Sequence, residues 1–184
     1  MDRYGYGDLL SVVDEIDVET VDLDSFCNSN EIDYVDFVKI DAEGAELDIL
    51  KGAQQILEKK VLGLSIEVGF LEIREGQPSF GEIDEFLRRL GFYLFDLDLN
   101  RWVKSADKTR PKSEGGKGQL IFGQALYLRD PVQSVPQGNE FGPEWGPINI
   151  LKLASIFEIF GLNDCAIELI EHYTNVSILD KKNG

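Results

Sequence analysis

Basic residues are scarce in this chain: 18 lysines and arginines stand against 34 aspartates and glutamates, a formal net charge of −16. Phosphate backbones and anionic bilayers are bound by clustered Lys and Arg, so the charge argues against nucleic acid and membrane as partners. Histidine is scarcer still. His172 stands alone, which excludes a multi-histidine metal site. The two cysteines, Cys27 and Cys165, are far apart and form no CxxC, so no disulfide framework is implied and a reducing, cytoplasmic setting is expected. No apolar run approaches the roughly 20 residues that cross a bilayer. The opening "MDRYGYGDLL" lacks the basic start and apolar segment of a signal peptide.

What remains is enough for a folded domain: 184 residues, 43% of them apolar. "DVETVDLDSF" reads as a strand over Val18–Leu23, and "SFCNSNEI" as one helical turn capped by Ser25. "YVDFVKID" gives a largely apolar strand, Tyr34–Ile40. A helix is expected through "AEGAELDILKGAQQILEKK", with Leu47, Leu50 and Leu57 on its apolar face. "VLGLSIEVGF" is a near-continuous apolar run, as in a strand covered on both faces. "SFGEIDEFLRRLGF" carries a capping box, Ser79 with Glu82, and ends at Gly91. Strands follow at Phe92–Leu97 and Leu120–Leu128, separated by the basic loop "NRWVKSADKTRPKSEGGKGQ", which is either a solvated hairpin loop or a lid over an anionic ligand. Residues 132–147 form a Pro/Gly-rich linker. Beyond it, residues 148–184 predict a helical hairpin broken at Gly161, apolar enough to pack on the main domain or on a second copy of the chain.

Strand and helix thus alternate over residues 18–98, the pattern of an α/β fold with a mostly parallel sheet. Ligands in such sheets bind beyond the carboxyl ends of the strands. Asp24, Asp41, Glu67 and Asp96 or Asp98 are expected at those ends. The stretch "KIDAEGAELDIL" is the densest of these places. Asp41 and Glu43 at a helix start compensate its dipole at about 0.3–1 kcal/mol each, which is a structural role. Lys39 does not fit that role: inside a covered strand it needs a partner, and Asp41, two residues on, projects to the same side. Lys39, Asp41, Glu43 and Glu67 are therefore a candidate charged cluster, either catalytic or a structural ion pair.

These residues carry a resemblance. "VETVDLDSF", "DFVKIDAEGAE", "ILKGA" and "LSIE" resemble the FkbM-type methyltransferases, over about residues 15–130. The resemblance implies S-adenosylmethionine as methyl donor and O-methylation of a small-molecule or glycan hydroxyl. It also implies a Rossmann-like sheet ordered 3-2-1-4-5-7-6, of which strands 3 to 7 would be present in residues 1–131. Asp24 would then sit near the adenine, and Asp41 near the methyl group and the acceptor. Catalysis would rest with Asp41, Glu43 and Glu67, oriented by Lys39, and Asp41 with Glu67 would suit Mg²⁺. The glycine-rich loop after strand 1 and the acid after strand 2 have no counterpart here, and the two strands they belong to would leave a gap of about 10 Å beside strand 4. The expectation is a partial domain: strand 3 re-pairs, another chain fills the gap, or the sequence is part of a longer one. A second reading is a non-catalytic remnant that pairs with a partner through its C-terminal helices. A third, another Rossmann-like enzyme such as a sugar-nucleotide enzyme, lacks a phosphate-binding loop.

Overall fold

A computed structural model describes residues 2–4, 12–106, 117–133 and 142–176. It is a mixed α/β fold. Four strands, β1 (Phe37–Ile40), β2 (Gly63–Gly69), β3 (Tyr93–Trp102) and β4 (Gln119–Leu128), form an open sheet in the order β1-β2-β4-β3. β1 and β2 run parallel, and β4 is antiparallel to both β2 and β3. Six α-helices accompany them: α1 (Leu23–Ser29), α2 (Glu46–Lys51), α3 (Gln54–Lys59), α4 (Phe80–Arg89), α5 (Pro147–Ile159) and α6 (Asn163–Asn175).

The sheet is covered on two sides. Leu64, Ile66 and Val68 alternate along β2 and pack with Ala125 and Tyr127 of β4 against Leu50, Leu57, Ile83 and Leu87 of α2, α3 and α4. On the other side Leu126 and Leu128 meet Ile150, Leu153 and Phe157 of α5 and Leu169 of α6. Because side chains alternate along a strand, β2 must be apolar on one face throughout and needs apolar cover on the other only where α5 and α6 reach. That explains why Ser65 and Glu67 interrupt an otherwise apolar run.

Three expected elements differ. No strand forms over Val18–Leu23; residues 12–22 have no regular structure, Val18 and Val21 are 69% and 62% exposed, and Leu23 begins α1. A strand there needs a neighbour for its backbone groups, and none of the described strands lies beside it. The cap of α1 is Asp22, which accepts from Ser25 N–H at 2.7 Å, rather than Ser25 itself. The long helix breaks between α2 and α3 at Gly52–Ala53. The start of α1 docks there: Asp24 N–H donates to the Gly52 carbonyl at 2.9 Å, and a side chain on Gly52 would come within 2.9 Å of Asp22 Cβ. Leu50, Ile56 and Leu57 stay in one core across the break, so the apolar spacing gave no sign of it. The capping box at α4 is present as expected, Ser79 with Glu82. The expected lid lies largely in 107–116, outside the described residues, as do residues 134–141 of the expected linker.

Candidate active site

β1 ends at Ile40, in register with Ile66 of β2, β2 runs on to Gly69, and the "DAEGAE" turn leaves β1 beside it. Its shape follows from its own residues. Glu46, only 2% exposed, turns its carboxylate back onto the turn and accepts from Ala42 N–H at 3.0 Å and from Gly44 N–H at 3.0 Å. Two left-handed residues make this possible: Glu43 at φ 57° and Gly44 at φ 118°, the second a conformation that a side chain opposes. α2 therefore has no side-chain cap at Ala45, and Glu46 organises the turn in its place. Glu46→Ala leaves two backbone donors unpaired, at about 1–3 kcal/mol. The expected outcome is a lower thermal midpoint and a turn whose amide protons exchange faster than those of β2.

The turn projects Asp41 and Glu43 in different directions. Asp41 accepts from Lys39 Nζ at 2.8 Å, and Glu43 pairs with Arg74 in the loop after β2. Gln77 shapes that loop by accepting from Ile73 N–H at 3.1 Å. Glu67, two residues before the end of β2, is half-buried. Burial, followed by the charges of Glu43, Asp41 and Glu46, pushes its carboxyl up to about 7. The acids of the junction thus act on one another. Cross-strand register sets Glu67 opposite Gln124 and Gln124 opposite Asp98, one polar row on a single face of the sheet. Gln124 Oε1 is buried without a hydrogen-bond partner among the described residues. Sequence reasoning gave Glu46 no role of its own and missed Gln124. The Glu three residues into a glycine turn was a legible signal for the first, whereas the second is visible only through strand register.

A cavity of about 490 Å³ opens beside the turn, bounded by Gly44, Asp48, Lys51, Gly69, Gln77 and Ser79. It lies between the turn and the start of α4, and Glu67 is not part of its wall.

Four expectations about the site change. Lys39 is not buried: its side chain is 63% exposed, because β1 is an edge strand among the described residues and is covered less than an interior one. Its pairing with Asp41 therefore counts for little in stability, about 0–1 kcal/mol. Asp24 does not sit at a strand end. It lies in α1, buried, and its two carboxylate oxygens accept from Gln55 N–H at 2.8 Å and Ile56 N–H at 3.0 Å, capping α3. Asp96 and Asp98 lie within β3, which runs on to Trp102. Finally, among the described residues no group of three or more His, Cys, Asp or Glu is placed to hold a metal ion. Asp41 and Glu67 are part of no such group, and Asp41 already has a cation in Lys39, which disfavours Mg²⁺ between them.

With this geometry in place, residues 5–94 match the model of a methyltransferase domain. The family is the methyltransferase FkbM domain, the one its motifs resemble, and the match covers just under half of the chain. No curated protein matches the chain. A solved structure entitled "crystal structure of M1.HpyAVI" is similar at a TM-score of 0.34 and 12% identity, over 78% of this chain and 72% of that one.

Proposed function

We propose that this chain carries the acceptor side of an S-adenosylmethionine-dependent methyltransferase site, acting on a hydroxyl of a small molecule or glycan. One observation carries the reading: within the FkbM segment, Glu67 stands under the influence of Asp41, Glu43 and Glu46 at the ends of two adjacent parallel strands. Strand order supports it. β1-β2-β4-β3, with β4 antiparallel, corresponds to positions 4-5-7-6 of the order that the family resemblance implies.

The methyl donor, when bound, supplies an electrophilic methyl group. The described residues match only part of it. Neither a glycine-rich loop nor an acid for the ribose is among them, and no described strand pairs with the far edge of β1. What the chain's own residues do is hold the acceptor and take its proton. A carboxyl poised near 7 is matched to that work, since a general base is most effective when its pKa lies close to the working pH. Asp41 and Glu43 are each fixed by a cation, Lys39 and Arg74, and so line the approach without taking the proton. Asp24, already engaged with α3, has no place in the cofactor site.

Calorimetry tests the reading. Titration of S-adenosylmethionine into the 184 residues is expected to give weak or no heat. The same titration into the chain extended upstream by the strand–glycine loop–strand unit of an FkbM domain is expected to show saturable binding. No binding by the extended chain would sink the proposal.

A second reading rests on the helices. Ile148, Leu151, Ile159 and Ile167 of α5 and α6 are exposed although the inner face of α5 is already used against the sheet. A non-catalytic module would use them to pair copies of the chain. Light scattering after size exclusion separates the two, because a strict monomer at all concentrations removes this alternative.

A further inference from the structure

Gln124 carries a buried carbonyl oxygen, Oε1, that no donor meets among the described residues. A buried acceptor left dry is costly, so a donor should reach it in some working state of the protein. Strand register narrows the choice. Gln124 of β4 stands between Glu67 of β2 and Asp98 of β3. Directly opposed residues of antiparallel strands have Cβ atoms about 4.5–5.5 Å apart on one face, so the amide lies within reach of both carboxyls. Diagonal to it on the same face are Ser65 and Gly69 of β2, and Asp96 and Asn100 of β3. The Ser65 hydroxyl and the Asn100 amide can donate, yet neither is bonded to Oε1. Asp96 and Asp98 are exposed and meet water.

Glu67 is different. It is half-buried, and its carboxyl keeps a proton up to about 7, through burial first and then the charges of Glu43, Asp41 and Glu46, with Arg74 working the other way. Lys39, beside Ser65 in the register, is held by Asp41. A carboxylate only accepts hydrogen bonds, whereas a protonated carboxyl donates one O–H. Glu67 is thus the neighbour that changes from a group that repels Oε1 into one that satisfies it.

We propose that Gln124 is a positioning residue for Glu67, its Oε1 accepting the O–H of the protonated carboxyl and so holding the proton that Glu67 takes from the acceptor hydroxyl. The role in turnover rests on the methyltransferase reading; the hydrogen bond rests on register and burial. The proton passes from the acceptor oxygen to a Glu67 oxygen, and the bonding pair stays on the acceptor. The new O–H turns to Oε1, across the sheet. A hydrogen bond to the neutral form favours that form, so Gln124 raises the pH at which Glu67 releases its proton. The opposite orientation of the amide would offer Nε2–H to the carboxylate and lower that pH. The two orientations differ in sign, which makes them separable.

The test follows the titration of Glu67 by NMR in the 184-residue chain, labelled with ¹³C in its glutamate carboxyls. The Glu67 signal is the one absent from Glu67→Gln. Gln124→Met keeps the length of the side chain but offers no strong acceptor. The Glu67 midpoint is expected to fall by about half a unit to one unit, the size of one neutral hydrogen bond. Loss of a polar neighbour would by itself push the midpoint up through desolvation, so a fall is specific to the lost acceptor. Gln124→Asn keeps an amide but draws its oxygen back by one carbon. It is expected to lower the midpoint too, and serves where the methionine variant fails to fold. An unchanged or raised midpoint in the folded variant would overturn the proposal. In the upstream-extended chain the acidic limb of the kcat profile should move down with the midpoint while the acceptor KM holds. A limb that stays in place while the midpoint falls would remove the role in turnover. A shifted titration with no methyl transfer at all by that chain would leave the hydrogen bond standing and count against the enzymatic reading alone.

Discussion

Arg129→Met is expected to lower stability by about 3–5 kcal/mol, the cost of stripping a buried charged partner from groups that stay buried, a large part of the about 5–15 kcal/mol that holds a typical domain together. The side chain is 2% exposed. Its guanidinium donates to the Val61 carbonyl at 3.3 Å, to Leu57 at 2.5 Å and to Leu90, and it lies 3.9 Å over the ring of Phe92. Leu57 belongs to the last turn of α3 and Leu90 caps α4. One cation thus closes two helix ends, where carbonyls lack intrahelical partners and the dipole is negative. Burial pushes its pKa down to about 10, which still leaves it charged at neutral pH. Methionine matches the length but offers no donor, so three carbonyls would be left dry. Urea unfolding measures the loss. Lys restores a charge but no fork, and is expected to recover only part of it. A variant within 1 kcal/mol of the parent would mean that water replaces the guanidinium and that the closure is not structural.

Glu67→Gln carries the largest expected effect on turnover, a fall of about 10²–10⁴-fold, the range for a lost general base. The pH profile is the sharper test. The parent should gain activity as pH rises through about 7 and then level off, because the ionised form takes the proton. The variant should lose this rise. Stability should move the other way. The native carboxyl holds its proton up to about 7, whereas the unfolded chain releases it near 4.5. Between these values the native state binds more protons, so the parent loses stability as pH rises through the window. Glutamine does not titrate. The stability of Glu67→Gln relative to the parent should therefore grow from pH 4.5 to pH 7, by on the order of 1 kcal/mol once solvent screening is allowed for. Thermal melts at pH 5 and pH 8 read it without any acceptor. An unchanged difference between the two would show that Glu67 is an ordinary surface acid.

Much of this molecule was legible because local and tertiary preferences agree. The apolar run of β2 and the capping box of α4 each encode their element in adjacent residues, and "DFVKIDAEGAE" marked the junction that the structure makes of it. What escaped reading depends on residues distant in sequence. The break at Gly52 is imposed by Asp22 and Asp24, roughly 30 residues upstream, and is invisible to helical spacing. The exposure of Lys39 depends on how many strands stand beyond β1. Asp24 looked like a strand-end acid, but its residue type serves equally well as a helix cap, and only the fold chooses between them. Arg129 drew no notice, since a single arginine after a strand carries no pattern.

The outer edge of β1 bears on how the protein behaves at high concentration. An unpaired strand edge is a template on which further strands can add, from this chain or another. Among the described residues that edge is unpaired and four residues long, carries the exposed ammonium of Lys39, and is followed by Asp41 and the left-handed Glu43, which an incoming strand cannot follow. The turn that shapes the candidate active site therefore also acts as a stop, limiting any added strand to a few hydrogen bonds and guarding the folded protein against sheet-to-sheet aggregation.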